Sequence, residues 1–196
     1  MTRTIILVDP NAERRGRIAH SVSETGFQIS RTATEPEEAI RLAATLVPAV
    51  AIVAATLGLH GSLQLTDRLS TEHGIPSVLV AEAVPDVPPA AMAAEPGVMG
   101  VLAEPFGPAT MRATLEVAVR RFQELRALRQ EAEVLRQSLQ ARKVIERAKG
   151  LLMEVGRLSE REAYARIRRK SMDMQRPMTE IARAIIVSAE MSLKAG

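Results

Sequence analysis

"VPAVAIVAATLGLHG", residues 47–61, decides how the first half of this chain is read. Residues 49–55 are an unbroken apolar run of strand length, and the glycine-containing stretch after it marks a loop. A strand that is hydrophobic on both faces belongs in a parallel sheet covered by helices on either side. Working outward, four more short apolar runs stand at 4–9 (TIILVD), 27–33 (FQISRTA), 76–81 (PSVLVA) and 97–103 (GVMGVLA). Helical stretches separate them. The one after Ala33 opens with Thr34 and Glu37 at capping-box spacing. Between Ala83 and Pro96 the abundance of Pro and Ala predicts a fourth helix that is short or irregular. Strands alternating with helices predict a doubly wound α/β domain, (βα)5, over residues 1–121. In such folds, ligands and reactive groups gather beyond the carboxyl ends of the strands. Here that position offers Ala54, Ala55, Thr56 and Leu57, and no carboxylate lies between Glu38 and Asp67. The platform for a reactive site is present without its chemistry.

Composition narrows the function classes. There are 196 residues and no cysteine, which excludes disulfides, thiolate metal sites and cysteine nucleophiles. His20, His60 and His73 are scattered with no partner at metal-ligand spacing, so no metal and no cofactor are expected. The longest apolar run, near residues 48–59, is too short to span a bilayer. "MTR" leads straight into a strand without the apolar segment of a signal peptide, and the chain reads as cytoplasmic with no membrane partner. Net charge is +3 overall but split: residues 1–107 carry −5, and residues 108–196 carry +8. A basic second half on an acidic first half suggests a polyanion-binding module joined to a regulatory domain. No constellation of nucleophile, base and orienting group appears, so the chain reads as non-enzymatic.

From Thr110 to about Arg147 the chain holds no Gly or Pro and is rich in Glu, Arg, Gln, Leu and Ala, which predicts one long helix. Within it, Leu125, Leu128, Ala132, Leu135 and Leu139 follow a 3-4-3-4 spacing, the seam of a two-stranded coiled coil. This assigns residues 122–140 to a coiled-coil connector and predicts a homodimer. Residues 141–196 then read as three short helices. The first has Gly156 placed as its C-cap, the second opens on the capping box Ser159–Glu162, and the third follows Pro177 with Thr179 as N-cap.

Two resemblances sharpen this reading. Residues 3–121 resemble the receiver domain of two-component response regulators: "LVDPN", "VPAVAIVAATLGLHG" and "GVMGVLAEPF" fall where that family has strands one, three and five. Active receivers phosphorylate an aspartate with the help of Mg²⁺ and a lysine. By that pattern the phosphoacceptor falls on Ala54, the acidic pair on Asp9 and Pro10, the switch hydroxyl on Ala81 and the lysine on Glu104. The resemblance therefore implies a pseudo-receiver used for docking. Asp9, left alone at a strand end, reads as solvated.

The C-terminal segment "RKVIERAKGLLMEVGRLSEREAYARIRRKSM", followed by "IARAII", resembles the ANTAR domain of the amide- and nitrate-assimilation antitermination regulators. The match runs through Arg142, Ile145, Ala148, Lys149, Gly150, Leu152 and Met153, then Glu162, Ala163, Tyr164, Arg168 and Met172, then Ile181 and Ala182. It implies an RNA-binding antiterminator that recognises paired hairpins in nascent leader transcripts. It also implies a ligand-sensing protein that sequesters the regulator. Phosphate-neutralising and base-stacking groups suited to that task are Arg142, Lys143, Arg147, Lys149, Tyr164, Arg168, Arg169 and Lys170. Lys149, Arg168 and Arg169 lead among them, Tyr164 faces either loop bases or the bundle, and Gly150 is read as permitting close helix approach. A DNA-binding response regulator, or an adaptor whose basic half meets an acidic protein, stays open as an alternative.

Overall fold

The structure is a computed structural model that describes residues 3–57, 59–81, 92–95 and 97–194. The expected irregular fourth helix falls on residues that lie mostly outside the described ones. The chain divides into two compact units, residues 1–126 and 127–196.

The first unit is a five-stranded, all-parallel sheet: β1 (Arg3–Val8), β2 (Phe27–Ala33), β3 (Val50–Ala54), β4 (Ser77–Ala81) and β5 (Val98–Ala103), in the order β2-β1-β3-β4-β5. The apolar run that opened the sequence analysis is the middle strand, with every residue of β3 buried. Because side chains alternate across a strand, one sequence supplies two cores. Ile5, Leu7, Val50, Ile52, Val78 and Val80 face one side. Ile6, Val8, Ala51, Val53, Leu79 and Ala81 face the other. The first side is covered by Ile18 and Val22 of α1 (Ala12–Ser23) and by Met111, Leu115 and Val119 of α4 (Pro108–Gly156). The second is covered by Ala39 and Ala43 of α2 (Pro36–Leu46) and by Leu65 and Leu69 of α3 (Leu59–His73). Each such aliphatic side chain contributes about 1.5–3 kcal/mol on leaving water. Gly97, at φ 86°, starts β5 against α3, where an added Cβ would lie 2.5 Å from the Thr66 carbonyl oxygen. That spot admits no side chain.

One local expectation changes in this unit. The box at Thr34–Glu37 does not form: α2 starts at Pro36 after Glu35, and the Thr34 backbone N–H donates to Glu38 instead. Proline at the first helical position fixes the start there.

The second unit holds the end of α4, then α5 (Glu160–Met174) and α6 (Met178–Lys194). The connector and the first C-terminal helix are therefore one 49-residue helix, extending past Arg147 to Gly156. Nothing in its sequence breaks it: the one internal glycine, Gly150, costs only about 1 kcal/mol relative to alanine. Gly156 is the last helical residue, and Arg157 takes the positive φ of 50°. The Ser159–Glu162 capping box forms in both directions. Thr179 lies inside α6, whose first turn bonds back to the Pro177 carbonyl. The buried apolar core here is small: Ala148, Ala163, Ile167, Ile181 and Ala182.

Candidate nucleic-acid interface

At the carboxyl ends of β1 and β3, where the receiver resemblance places Asp9 and Ala54, the space is closed from within. Asp9 and Arg14 are 0% and 1% exposed. Arg14 donates from Nε to Asp9 Oδ2 at 2.5 Å and from Nη2 to Oδ1 at 2.8 Å. Its Nη2 also reaches the Thr56 hydroxyl, just beyond β3. The Asn11 backbone N–H donates to Asp9 Oδ1, while the Asn11 side chain caps α1 by accepting from Arg14 N. Arg14 reaches the pocket because that cap starts α1 two residues after the strand loop and puts position 14 on its inward face. Asp9 is thus neither solvated nor available as a metal ligand. The reason is electrostatic: a lone buried carboxylate must be neutralised, and a bidentate guanidinium does so without a metal.

Ala54 and Ala81 are buried at the ends of β3 and β4. Glu104, where the receiver pattern has a lysine, lies 3.4 Å from Arg17 of α1. Pro10 is exposed. Compared with the receiver pattern, the charges have exchanged places: the cations come from α1 and an acid sits at the lysine position. Among the described residues no group of three or more His, Cys, Asp or Glu could hold a metal ion.

In the second unit, α5 carries an open surface. Arg161, Tyr164, Arg168 and Met172 recur at intervals of three and four and share one exposed face. With Ala165, Arg169 and Asp173 they line a shallow groove of about 420 Å³. Tyr164 is 45% exposed, so its ring belongs to this surface and not to the bundle, whose inward positions on α5 are Ala163 and Ile167. Among the described residues, Arg161, Arg168 and Arg169 have no ion-pair partner. A phenol ring flanked by unpaired guanidinium groups offers a stacking plane and phosphate-binding charge within one patch.

Residues 133–186 match the ANTAR domain family. They form an ANTAR domain. Over 184 residues the chain is 28% identical to the transcriptional regulatory protein PdtaR of Mycobacterium tuberculosis, in each of two strains, covering 94% of this chain and 89% of PdtaR. The first unit shares its fold with solved receiver domains. These include that of a modulated diguanylate cyclase from Desulfovibrio desulfuricans G20, with TM-score 0.56, 21% identity, and coverage of 63% of this chain and 98% of that one. NtrX from Brucella abortus superposes with TM-score 0.55 at 23% identity, over 76% of this chain and 35% of its own.

Within the ANTAR domain the expected contact residues separate into four groups. Tyr164, Arg168 and Arg169 share the α5 patch just described. Arg142 and Lys143 are exposed on α4 and unpaired among the described residues, whereas Arg147, also exposed, is held by Glu190 of α6 at 2.6 Å. Lys170 turns away from Arg168 and Arg169 toward a second groove, beside Arg166. Lys149 departs furthest from the expectation. It is 7% exposed, and its ammonium donates to Glu160 at 2.7 Å and to both Glu146 oxygens at 3.0 and 3.1 Å. The bonds to Glu160 and then Glu146 hold the ammonium above its ordinary pKa. Lys149 ties α4 to the first turn of α5. A cation satisfied three times by carboxylates is not presented to phosphate.

Two groups escaped the sequence reading. Arg161 stands seven positions before Arg168, two helical turns on the same face, and could have been found by extending that spacing backward from Tyr164. Arg14 carried no such signal, since its neighbour Arg15 has the same chemistry. Gly150 is exposed, and an added Cβ there would meet nothing within 4 Å. It does not serve close helix approach. The stripe of Leu125, Leu128, Ala132, Leu135 and Leu139 is exposed along α4.

Proposed function

We propose that this chain is a non-enzymatic transcription antitermination regulator that binds paired hairpins in nascent leader RNA through its ANTAR domain. The observation that carries the proposal is the α5 patch: Tyr164 exposed among Arg161, Arg168 and Arg169, which have no ion-pair partner among the described residues, in a domain of net charge +6 over residues 141–196. Single-stranded loop bases are read by stacking and by guanidinium contacts, and hairpin stems supply the phosphates that draw the cations. Arg142 and Lys143 extend the positive surface along α4, and Arg147 joins them where its bond to Glu190 exchanges for phosphate. Lys170 contributes long-range attraction from the adjoining face, and Lys149 positions α5 without touching RNA.

The first unit acts as a docking platform whose state is set without phosphoryl transfer. Alanine at position 54 cannot accept a phosphoryl group, and Arg14 fills the space between the strand ends. Control then falls to a protein that recognises this surface or the connector, consistent with a sensor that sequesters the regulator until it binds its ligand. The exposed leucine stripe on α4 suits a parallel homodimer, which would present two ANTAR domains to two hairpins. Affiliation with the amide and nitrate regulators rests on the "AKGLLM" and "EAY" motifs alone.

The test is titration of the full chain against a leader RNA with two adjacent hairpins, a single hairpin, and duplex DNA of matched sequence. Tighter binding to the two-hairpin RNA supports the proposal. Equal or tighter binding to duplex DNA overturns it in favour of a DNA-binding regulator.

A further inference from the structure

The ANTAR bundle buries little: its covered apolar residues are Ala148, Ala163 and Ala182 with Ile167 and, at one edge, Ile181. Larger aliphatic side chains turn instead toward a half-open groove of about 610 Å³ between the end of α4, α5 and α6. Leu151, Leu152, Val155, Ile181 and Ile185 form its floor. From Glu180 to Ala189, α6 lines it over ten residues, about 14 Å or two and a half turns. One wall is basic: Arg166 and Lys170 are successive turns of α5, and Arg176 follows at the α5–α6 turn. Glu180 is the one acid of the lining, 3.7 Å from Arg176. Arg166 and Lys170 have no acidic partner among the described residues.

RNA does not fit this lining. Phosphates would meet the cations, but no aromatic side chain is there to stack a base, and a polyanion brings no apolar surface to displace water from five aliphatic side chains. An occupant must be apolar on one side and acidic on the flank. We propose that the groove receives an acidic amphipathic helix of a protein partner, its apolar residues at i, i+3, i+4 and i+7 on the floor and its carboxylates against Arg166 and Lys170. Those four anchors span about 10 Å of helix, within the groove length, as in helix-in-groove recognition. Charge complementarity along the wall fixes the direction in which the helix lies. Arg166 and Lys170 leave α5 on a different face from Tyr164 and Arg168, so a partner helix and RNA can be held together.

The experiment uses the full chain and a fluorescein-labelled synthetic helix of about five turns, with leucines at that spacing and glutamates on the flanks. Two controls are its lysine-for-glutamate counterpart and a same-composition scramble. Anisotropy should show saturable binding of the acidic helix alone. Arg166→Glu should weaken it at least about tenfold, as expected for truncating and reversing one interfacial charge. Ala184→Trp, which fills the groove, should block it while leaving two-hairpin RNA affinity unchanged. Should Ala184→Trp fail to fold, Arg166→Glu decides alone. Absence of binding by the acidic helix, or equal binding by the lysine counterpart, overturns the proposal. So does a change in sedimentation of the peptide-free Ala184→Trp chain, which would make the groove a seat for a second copy. Loss of RNA binding in Ala184→Trp would make it a nucleic-acid face. A chain that binds the helix but not RNA would sink the antiterminator reading and leave the groove proposal standing.

Discussion

Two arginine-bearing sites in this molecule have opposite fates. In the first unit, Arg14 is buried against Asp9 at the carboxyl ends of β1 and β3. On α5, Arg161, Arg168 and Arg169 stand in solvent around Tyr164, with no ion-pair partner among the described residues. The same side chain therefore serves as internal cement in one place and as presented charge in the other. What separates them is the company each keeps: a buried carboxylate must be neutralised on the spot, whereas exposed guanidinium groups lacking acids are left for an external anion. Lys149 shows that membership of a basic segment is not enough. It lies among exposed cations in sequence, yet Glu146 and Glu160 hold it inside.

The contrast can be broken most forcefully at Arg14. Arg14→Ala leaves Asp9 buried and unpaired, and should destabilise the first unit by about 3–5 kcal/mol, lowering its Tm by roughly 10–20 °C. Adding Asp9→Ala should recover most of that loss, because the two residues act as one pair. Additive losses in urea unfolding would show that the pair is incidental.

On the open side, Tyr164→Ala should weaken hairpin RNA binding by about 1–3 kcal/mol, the worth of one stacked base, with little change in Tm because the ring is half in solvent. A large drop in Tm with unchanged affinity would return Tyr164 to the bundle.

Gly150→Ala should raise the stability of the second unit by about 0.5–1 kcal/mol, since alanine is the better helix former and the added methyl group meets nothing. If RNA affinity falls while stability rises, RNA approaches the α4 backbone at that point and the interface is wider than α5.

The smallest effect is pH-dependent. The bond from Lys149 holds the Glu160 carboxyl below its ordinary value of 4.5. A depressed carboxyl contributes stability that is complete above the ordinary value and fades as pH falls through the lowered one. Glu160→Gln should therefore lower Tm at neutral pH, and the gap from the parent chain should begin to narrow as pH falls below 4.5 and close once pH passes the lowered value. A gap that persists in acid would mean that Glu160 acts by packing.

The sheet was legible because parallel strands buried on both faces are written as continuous apolar runs, and "AVAIVAA" could be little else. The sequence also places alanine at position 54, at the end of β3, with no acid nearby to be shifted into its place. The identity of what fills the space beside it was not legible. Arg14 and Arg15 are chemically identical in sequence, and only the Asn11 cap decides which of them turns inward. Helix boundaries slipped for similar local reasons: Pro36 overrode the Thr34 box, and α4 ran through Gly150 because tertiary packing tolerates one glycine. On α5 the sequence offered a dense run, Arg168-Arg169-Lys170, but three consecutive residues cannot share a helix face. The structure divides them between two grooves, whereas Arg161, seven positions upstream, joins the patch.

The most direct test of the contrast between presented and internal cations is the salt dependence of binding to two-hairpin RNA. The logarithm of affinity would be measured against the logarithm of KCl concentration for the parent chain, for Arg161→Ala/Arg168→Ala/Arg169→Ala and for Lys149→Ala. Each phosphate contact removed should flatten the slope by about one unit, so the triple variant should lose about three units of slope while Lys149→Ala keeps the parent slope. A slope that flattens in Lys149→Ala and holds in the triple variant would contradict the account, placing the RNA on the face that the structure keeps closed.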